Sequence, residues 1–237
     1  MNFLKEKGFT YGAVIGCFLL LALGLANIRG QVLPVSVPVQ AKPILIDAGH
    51  GAPDGGAVSV TGTLESEINL SIARKLQCIL TLCGLDTVMT RTDENGIFDA
   101  DCGTIAQKKV SDIHNRVKIV NAHPDGLLVS IHQNYFSDGK YHGAQVFSGK
   151  QEESARFAEE MQEVLRIALE PENHREKKTA NGVYLLEHIQ NTGILIECGF
   201  LSNGAEAGKL DTEAYQQTLA MSNCTGIHRY LQGESSL

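Results

Sequence analysis

From residue 43 onward the chain alternates short apolar runs, too short for helices, with longer stretches whose apolar residues recur every three or four positions. Strands are expected over 43–47, 85–90, 127–131, 143–148, 183–187 and 193–196. Helices are expected over 65–83, 112–122, 152–169 and 212–231, with 91–111 read as a polar loop. An element that is apolar on one face must bury that face against another layer. Alternating strands and helices therefore predict a single-domain α/β fold: an open, mixed, mostly parallel sheet with helices on both faces. No internal repeat interrupts this pattern.

Residues 1–29 do not fit it. Lys5 and Lys7 precede an uncharged stretch from Gly8 to Ile28, and its centre, Val14 to Leu23, is apolar on every face. At 1.5 Å per residue, about 20 residues cross a bilayer core. A signal peptide cleaved after Gly24-Leu25-Ala26 and an uncleaved membrane anchor both satisfy this pattern, and the anchor is slightly preferred. Either reading places the rest of the chain outside the cytoplasm, with the membrane as a partner of the N-terminal segment. Residues 30–42, with Pro34 and Pro38, read as an extended linker, leaving 43–233 as the single folded domain.

Charge and composition narrow the function. Residues 1–29 hold three basic side chains and one acidic, so the remainder stands at −9 where the whole chain is −7. Without a basic block there is no footprint for nucleic acid. Trp is absent and aromatics make up 6%, so a stacking surface for sugars or bases is poorly supplied. Five cysteines follow the N-terminal segment, an odd number with no CxxC spacing. This argues against a disulfide framework or a thiolate metal site, and most are expected to be small buried residues.

Polar residues stop the apolar runs in a suggestive way. His50 closely follows the first strand, His132 ends the run 127–131, and Glu197 ends 193–196. In open α/β sheets, ligands gather beyond the carboxyl ends of parallel strands, which would bring these three together. Glu65 opens the first helix, across a glycine-rich loop from His50. Two imidazoles and a carboxylate form a common catalytic zinc set, and a further unligated carboxylate can serve as general acid and base. Each residue also has an ordinary reading: histidines at strand ends are commonly structural, and Glu65 could simply favour a helix dipole. Glu197 is harder to explain so, because a buried carboxylate is costly unless paired. At this level a metal site and unrelated structural residues both stand.

Longer motifs carry a resemblance. Asp47-Ala48-Gly49-His50-Gly51, Asp54-Gly55-Gly56-Ala57 and Leu64-Glu65-Ser66-Glu67-Ile68-Asn69-Leu70 resemble the opening motifs of the zinc-dependent N-acetylmuramoyl-L-alanine amidases. Ser130-Ile131-His132-Gln133-Asn134 resembles their second histidine motif, and Ile196 to Asn203 their glutamate motif. The resemblance runs from about 43 to 231. It implies one zinc ion on His50, Glu65 and His132, with Glu197 as general acid/base. The implied substrate is peptidoglycan, cut at the amide between the lactyl group of N-acetylmuramic acid and L-alanine.

Ala48, Gln133 and Gly193 depart from the family pattern, in which Pro, a small residue and Pro are usual. No segment is long enough for the blocking helix of cell-division members, which implies control by a partner, such as an accessory lipoprotein or other envelope protein, or by timing or location. The anchor and compact domain resemble germination-specific amidases of spore formers, which strip cortex peptidoglycan on the way to muramic-δ-lactam. Asn134 and Arg91 are assigned to substrate, and Arg116 to a structural ion pair or the helix surface. Glu67, two residues from Glu65, sits on another helix face and is not a ligand. The other six histidines lack a strand-end position and are assigned to the surface or the core. A zinc exopeptidase and a non-catalytic envelope-binding protein are the competing functions.

Overall fold

A computed structural model describes residues 42–234; the expectations for 1–29, and for the linker apart from Lys42, lie outside them. The elements run β1 (Ile44–Ala48), α1 (Glu65–Leu82), β2 (Thr87–Met89), α2 (Ile105–Asn121), β3 (Leu127–Asn134) and β4 (Gln145–Ser148). There follow α3 (Glu152–Leu169), β5 (Lys178–Thr179), α4 (Tyr184–His188), β6 (Gly193–Phe200), α5 (Gly204–Leu210) and α6 (Glu213–Glu234). The six strands form one sheet in the order β2-β1-β3-β6-β4-β5. β2, β1, β3 and β6 are parallel, while β4 runs antiparallel to β6 and parallel to β5. The expected mixed, mostly parallel α/β sheet is what forms.

The central strands are apolar on both faces because both are covered. Ile44, Ile46, Val129, Ile131, Ile194 and Ile196 pack into one core with α1, α3 and α6. Leu45, Leu128 and Leu195, pointing the other way, join Val120 of α2 and Leu185 and Leu186 of α4 in a second. Strict alternation along each strand thus feeds two cores rather than one core and a solvated face.

Several boundaries differ from expectation. Residues 183–187 form a helix, α4, not a strand, because Leu185, Leu186 and Ile189 cap the second core; Lys178–Thr179 takes the sheet edge instead. α2 starts at Ile105 rather than 112, on a capping box in which Thr104 accepts from Gln107 N and the Gln107 side chain accepts from Thr104 N. Its mostly exposed face weakens the apolar period that would have revealed it. β3 and β6 continue past Ile131 and Ile196, so His132 and Glu197 lie inside their strands. Of the five cysteines, only Cys198 is buried; Cys78 and Cys83 are exposed at the far end of α1.

A buried ion pair ties α2 to β1 on the face of the second core. Arg116 of α2, 2% exposed, donates from Nη1 to Asp47 Oδ1 at 2.6 Å and from Nε to Asp112 Oδ2 at 2.6 Å. Asp47 also accepts from Thr90 Oγ1 at 2.7 Å and Ser130 Oγ at 2.6 Å. Burial alone would raise the Asp47 pKa, but the Arg116 charge and the two hydroxyls bring it down to about 2. A carboxylate whose pKa falls on folding stabilises the native state above its unfolded pKa. In denaturant titrations, about 2 kcal/mol of stability should therefore be present above pH ~4 and disappear as pH falls through about 2. Arg116→Met, which strands Asp47 without its partner, should cost about 3–5 kcal/mol at neutral pH.

Candidate metal centre

The centre is built where β1 runs into the glycine-rich loop. His50 has φ 60°, in the left-handed region that non-glycine residues seldom occupy. Hydrogen bonds impose that conformation. Arg116 Nη2 donates to His50 O at 2.6 Å, Arg116 Nη1 to Ala48 O at 2.7 Å, and Gly51 and Asp54 exchange backbone bonds at 2.9 Å. Arg91 completes the support, donating to Ala48 O, Gly49 O and Ser66 O at 2.8, 3.0 and 2.8 Å. Its fourth bond goes to Asp93 O, and the side chain is buried. Arg91 therefore holds the loop from beneath, with four of its five N–H donors spent on backbone carbonyls. Burial, then the charge of Arg116, lowers its pKa to about 10, still well above neutrality.

His50, Glu65 and His132 converge above this floor. His50 Nε2 lies 3.3 Å from Glu65 Oε2, and His132 Nδ1 lies 3.0 Å from Glu65 Oε1. The imidazoles meet edge to face with centroids 5.0 Å apart. One ligand atom from each residue falls within 4.8 Å of the others, and among the described residues no other cluster of this kind forms. Glu65 is held further by Ala57 N at 2.9 Å and Gln133 N at 3.1 Å. Gln133 Nε2 in turn donates to Asn69 Oδ1, and Asn69 Nδ2 to Gly49 O and Glu65 Oε1. The departure at Gln133 is thus built into the frame behind the centre.

Electrostatics separates the two carboxylates. Burial would raise the Glu65 pKa, but the His132 and His50 imidazoles hold it far below the usual range. Burial would lower that of His50, but Asp54 and Glu65 raise it to about 9. Glu197 is placed differently. It pairs with His132 in the parallel ladder between β3 and β6, so both side chains leave the same face of the sheet. Its Oε2 is shielded from solvent and has no hydrogen-bond partner. Burial pushes its pKa up to about 7, with the imidazoles opposing and Glu65 adding.

The donor set fits zinc: two nitrogen ligands and one carboxylate. Their positions depend on glycine. A Cβ at Gly49 would lie 2.2 Å from His132 Nε2, and one at Gly56, where φ is +70°, 2.5 Å from Glu65 Oε2. Asp54 was not singled out from sequence as part of the centre, yet its Oδ2 accepts from His50 Nδ1 at 3.0 Å and its Oδ1 binds Lys109 of α2 at 2.9 Å. A carboxylate on the outer nitrogen fixes the tautomer that leaves Nε2 free to ligate. Its spacing, four residues after His50, was legible; Lys109, reaching in from α2, was not.

Other candidates fall elsewhere. Asn134 is half-buried two residues beyond His132, its carbonyl accepting from Leu201 N at 2.8 Å. Glu67 is exposed. His142 pairs with Glu170, and His114 and His188 gather around Tyr184. Gly49→Ala should reduce zinc affinity by at least about tenfold, measured by chelator competition, because outer positioning of ligands carries roughly 10–100-fold in affinity. Gly204→Ala, where an added Cβ meets nothing, should leave it unchanged.

The chain is similar to known proteins in sequence and fold. Residues 44–229 match the family described as N-acetylmuramoyl-L-alanine amidase. The germination-specific N-acetylmuramoyl-L-alanine amidase of Bacillus subtilis is 37% identical over 228 residues, covering 96% of this chain and 94% of that protein. The CwlD amidase of Clostridioides difficile, solved in complex with the GerS lipoprotein, superposes with a TM-score of 0.78 at 36% identity, covering 81% of this chain and 98% of that one. A second amidase structure, from Clostridium difficile 630, gives 0.70 at 29% identity over 81% of this chain and 97% of that one. Sequence and fold agree over nearly the whole described domain, and the chain belongs to the N-acetylmuramoyl-L-alanine amidase family.

Proposed function

We propose that this chain is a zinc-dependent amidase that cleaves the bond between the lactyl carbonyl of N-acetylmuramic acid and L-alanine in peptidoglycan. One zinc ion would be held by His50 Nε2, His132 Nδ1 and a Glu65 oxygen. When bound, it would polarise the scissile carbonyl and acidify water. The observation that carries the reading is Glu197: a carboxylate with one buried, unpartnered oxygen, in register with His132 and beside the ligand triplet. Its environment suits proton transfer near neutrality. Glu197 would take the proton from the attacking water and pass it to the amide nitrogen as the C–N bond breaks, so the peptide leaves as a neutral amine. Asn134, at the end of β3, is proposed to contact the substrate.

The similarity to the germination-specific relative supports spore-cortex peptidoglycan as the substrate and peptide-free muramic acid, the precursor of muramic-δ-lactam, as the product. It also supports action outside the cytoplasm, with residues 1–29 as anchor or signal and 43–233 as the catalytic domain. The Clostridioides difficile neighbour, solved with a lipoprotein, supports an accessory lipoprotein as a partner.

Mass spectrometry of muropeptides incubated with the purified zinc-loaded chain should show free stem peptide and unsubstituted muramic acid. Glu197→Gln should lower turnover by about 10²–10⁴-fold while retaining zinc. Cleavage of free peptides lacking muramic acid would make the chain an exopeptidase instead. A chain that neither holds zinc nor releases peptide would be a binding protein.

A further inference from the structure

Aromatic residues are scarce in the sequence, yet three of them stand exposed together on the loop that leaves the catalytic strand. Tyr135, Phe136 and Tyr141 are 52%, 50% and 38% exposed. The Phe136 and Tyr141 rings meet edge to face at 5.0 Å, and Tyr141 leans on buried Phe200 with centroids 6.3 Å apart. This loop is fastened in place. Phe136 N donates to Ser202 Oγ at 3.1 Å, Asn203 Nδ2 to Gly139 O at 2.8 Å, and Gly139 lies so close to Ser202 O that a Cβ would come within 2.8 Å. Contiguous exposed rings on a braced loop are costly in water and mark a binding surface.

The occupant follows from position and chemistry. Tyr135 comes three residues after His132, so at about 3.3 Å per residue the platform begins roughly 10 Å from the metal ligands. A glycan strand whose lactyl amide sits at the centre extends over surface at that distance. The rings are interleaved with Asp138 and Lys140, which pair at 2.8 Å, and with two tyrosine hydroxyls. Lys140 Nζ stands over the Tyr141 ring at 5.2 Å, so that mixture offers donors and acceptors to hydroxyl and acetamido groups, with the Tyr135 and Phe136 rings offered to the C–H faces of pyranose rings. It carries no net positive charge to recruit anionic lipid.

We infer that Tyr135, Phe136 and Tyr141 form a saccharide subsite that binds the glycan strand flanking the muramic residue being cleaved, which rests on the amidase reading of the centre. Affinity for the strand would then be separable from the chemistry, because none of the three rings belongs to the ligand triplet or to Glu197.

The test titrates the full chain with stem-peptide-free glycan strands of alternating N-acetylglucosamine and N-acetylmuramic acid. Ring-proton resonances of Tyr135 and Phe136 in the unmodified chain should shift on saturation, and Tyr135→Ala/Phe136→Ala should raise the Kd by about tenfold or more. Tyr135→Phe should recover most of the stacking contribution. Zinc affinity should stay within about twofold of the original in each variant, because the ligands and the groups that orient them are untouched. Equal strand affinity in the double variant, unmoved ring resonances, or binding of phosphatidylglycerol vesicles in place of strands would overturn the subsite. Stem-peptide release by the unmodified chain is followed in parallel: its absence would overturn the amidase reading, whatever the strand affinity.

Discussion

The buried guanidinium of Arg116 is the contact on which the site's geometry depends. It is hydrogen-bonded to carboxylates on two elements, Asp47 of β1 and Asp112 of its own helix, and to the carbonyls of Ala48 and His50. Those carbonyls flank the turn at His50, which adopts a left-handed conformation beside Glu65 and His132. Backbone strain of this sort persists only when the surroundings over-determine it. Arg91 supplies the second half of that restraint from the end of β2. A desolvated ion pair contributes little as stability alone, since apolar packing often does as well. Here it also sets the direction of a catalytic loop.

Above that floor the two glutamates sit in opposite electrostatic surroundings. Glu65 sits between two imidazoles and two backbone N–H groups, all of which favour its ionised form. Glu197, one strand away, has burial without compensating donors, and its proton affinity rises toward neutrality. Carboxylates with proton affinities pushed apart by their surroundings are a recurrent way for one site to combine fixed charge with proton transfer. The difference comes from hydrogen-bond supply, not from distance along the chain.

The aromatic loop shows how composition can mislead. A low aromatic fraction argues against a stacking surface when residues are counted over the chain, but three rings suffice when a turn gathers them at the end of β3. Arg91 is the reverse case: a basic residue near the motifs suggested substrate contact, and burial directed all its bonds to backbone. In both, the local sequence stated what the side chain can do and left open where it points.

Much of the molecule was legible from the amino-acid order. The parallel strands, the two-sided burial of β1, β3 and β6, and the polar residues that interrupt them are set by periodicities of two and about 3.6, which each segment expresses on its own. His50, His132 and Glu197 stood out because they interrupt or follow those apolar runs, whereas the roles expected of them and of Glu65 rested on the family resemblance. The end of α2 facing solvent, the short helix α4 and the sheet edge at β5 were not legible, since their apolar signal is weak or ambiguous between strand and helix. Nor were the contacts that complete the site. Arg116 meets Asp47 across 69 residues of sequence, and Lys109 reaches Asp54 from another element. The sequence alone determined which central strands are buried on both faces and which polar groups interrupt them. Only the tertiary structure decided which charges pair, because that choice turns on distances between elements that no local period encodes.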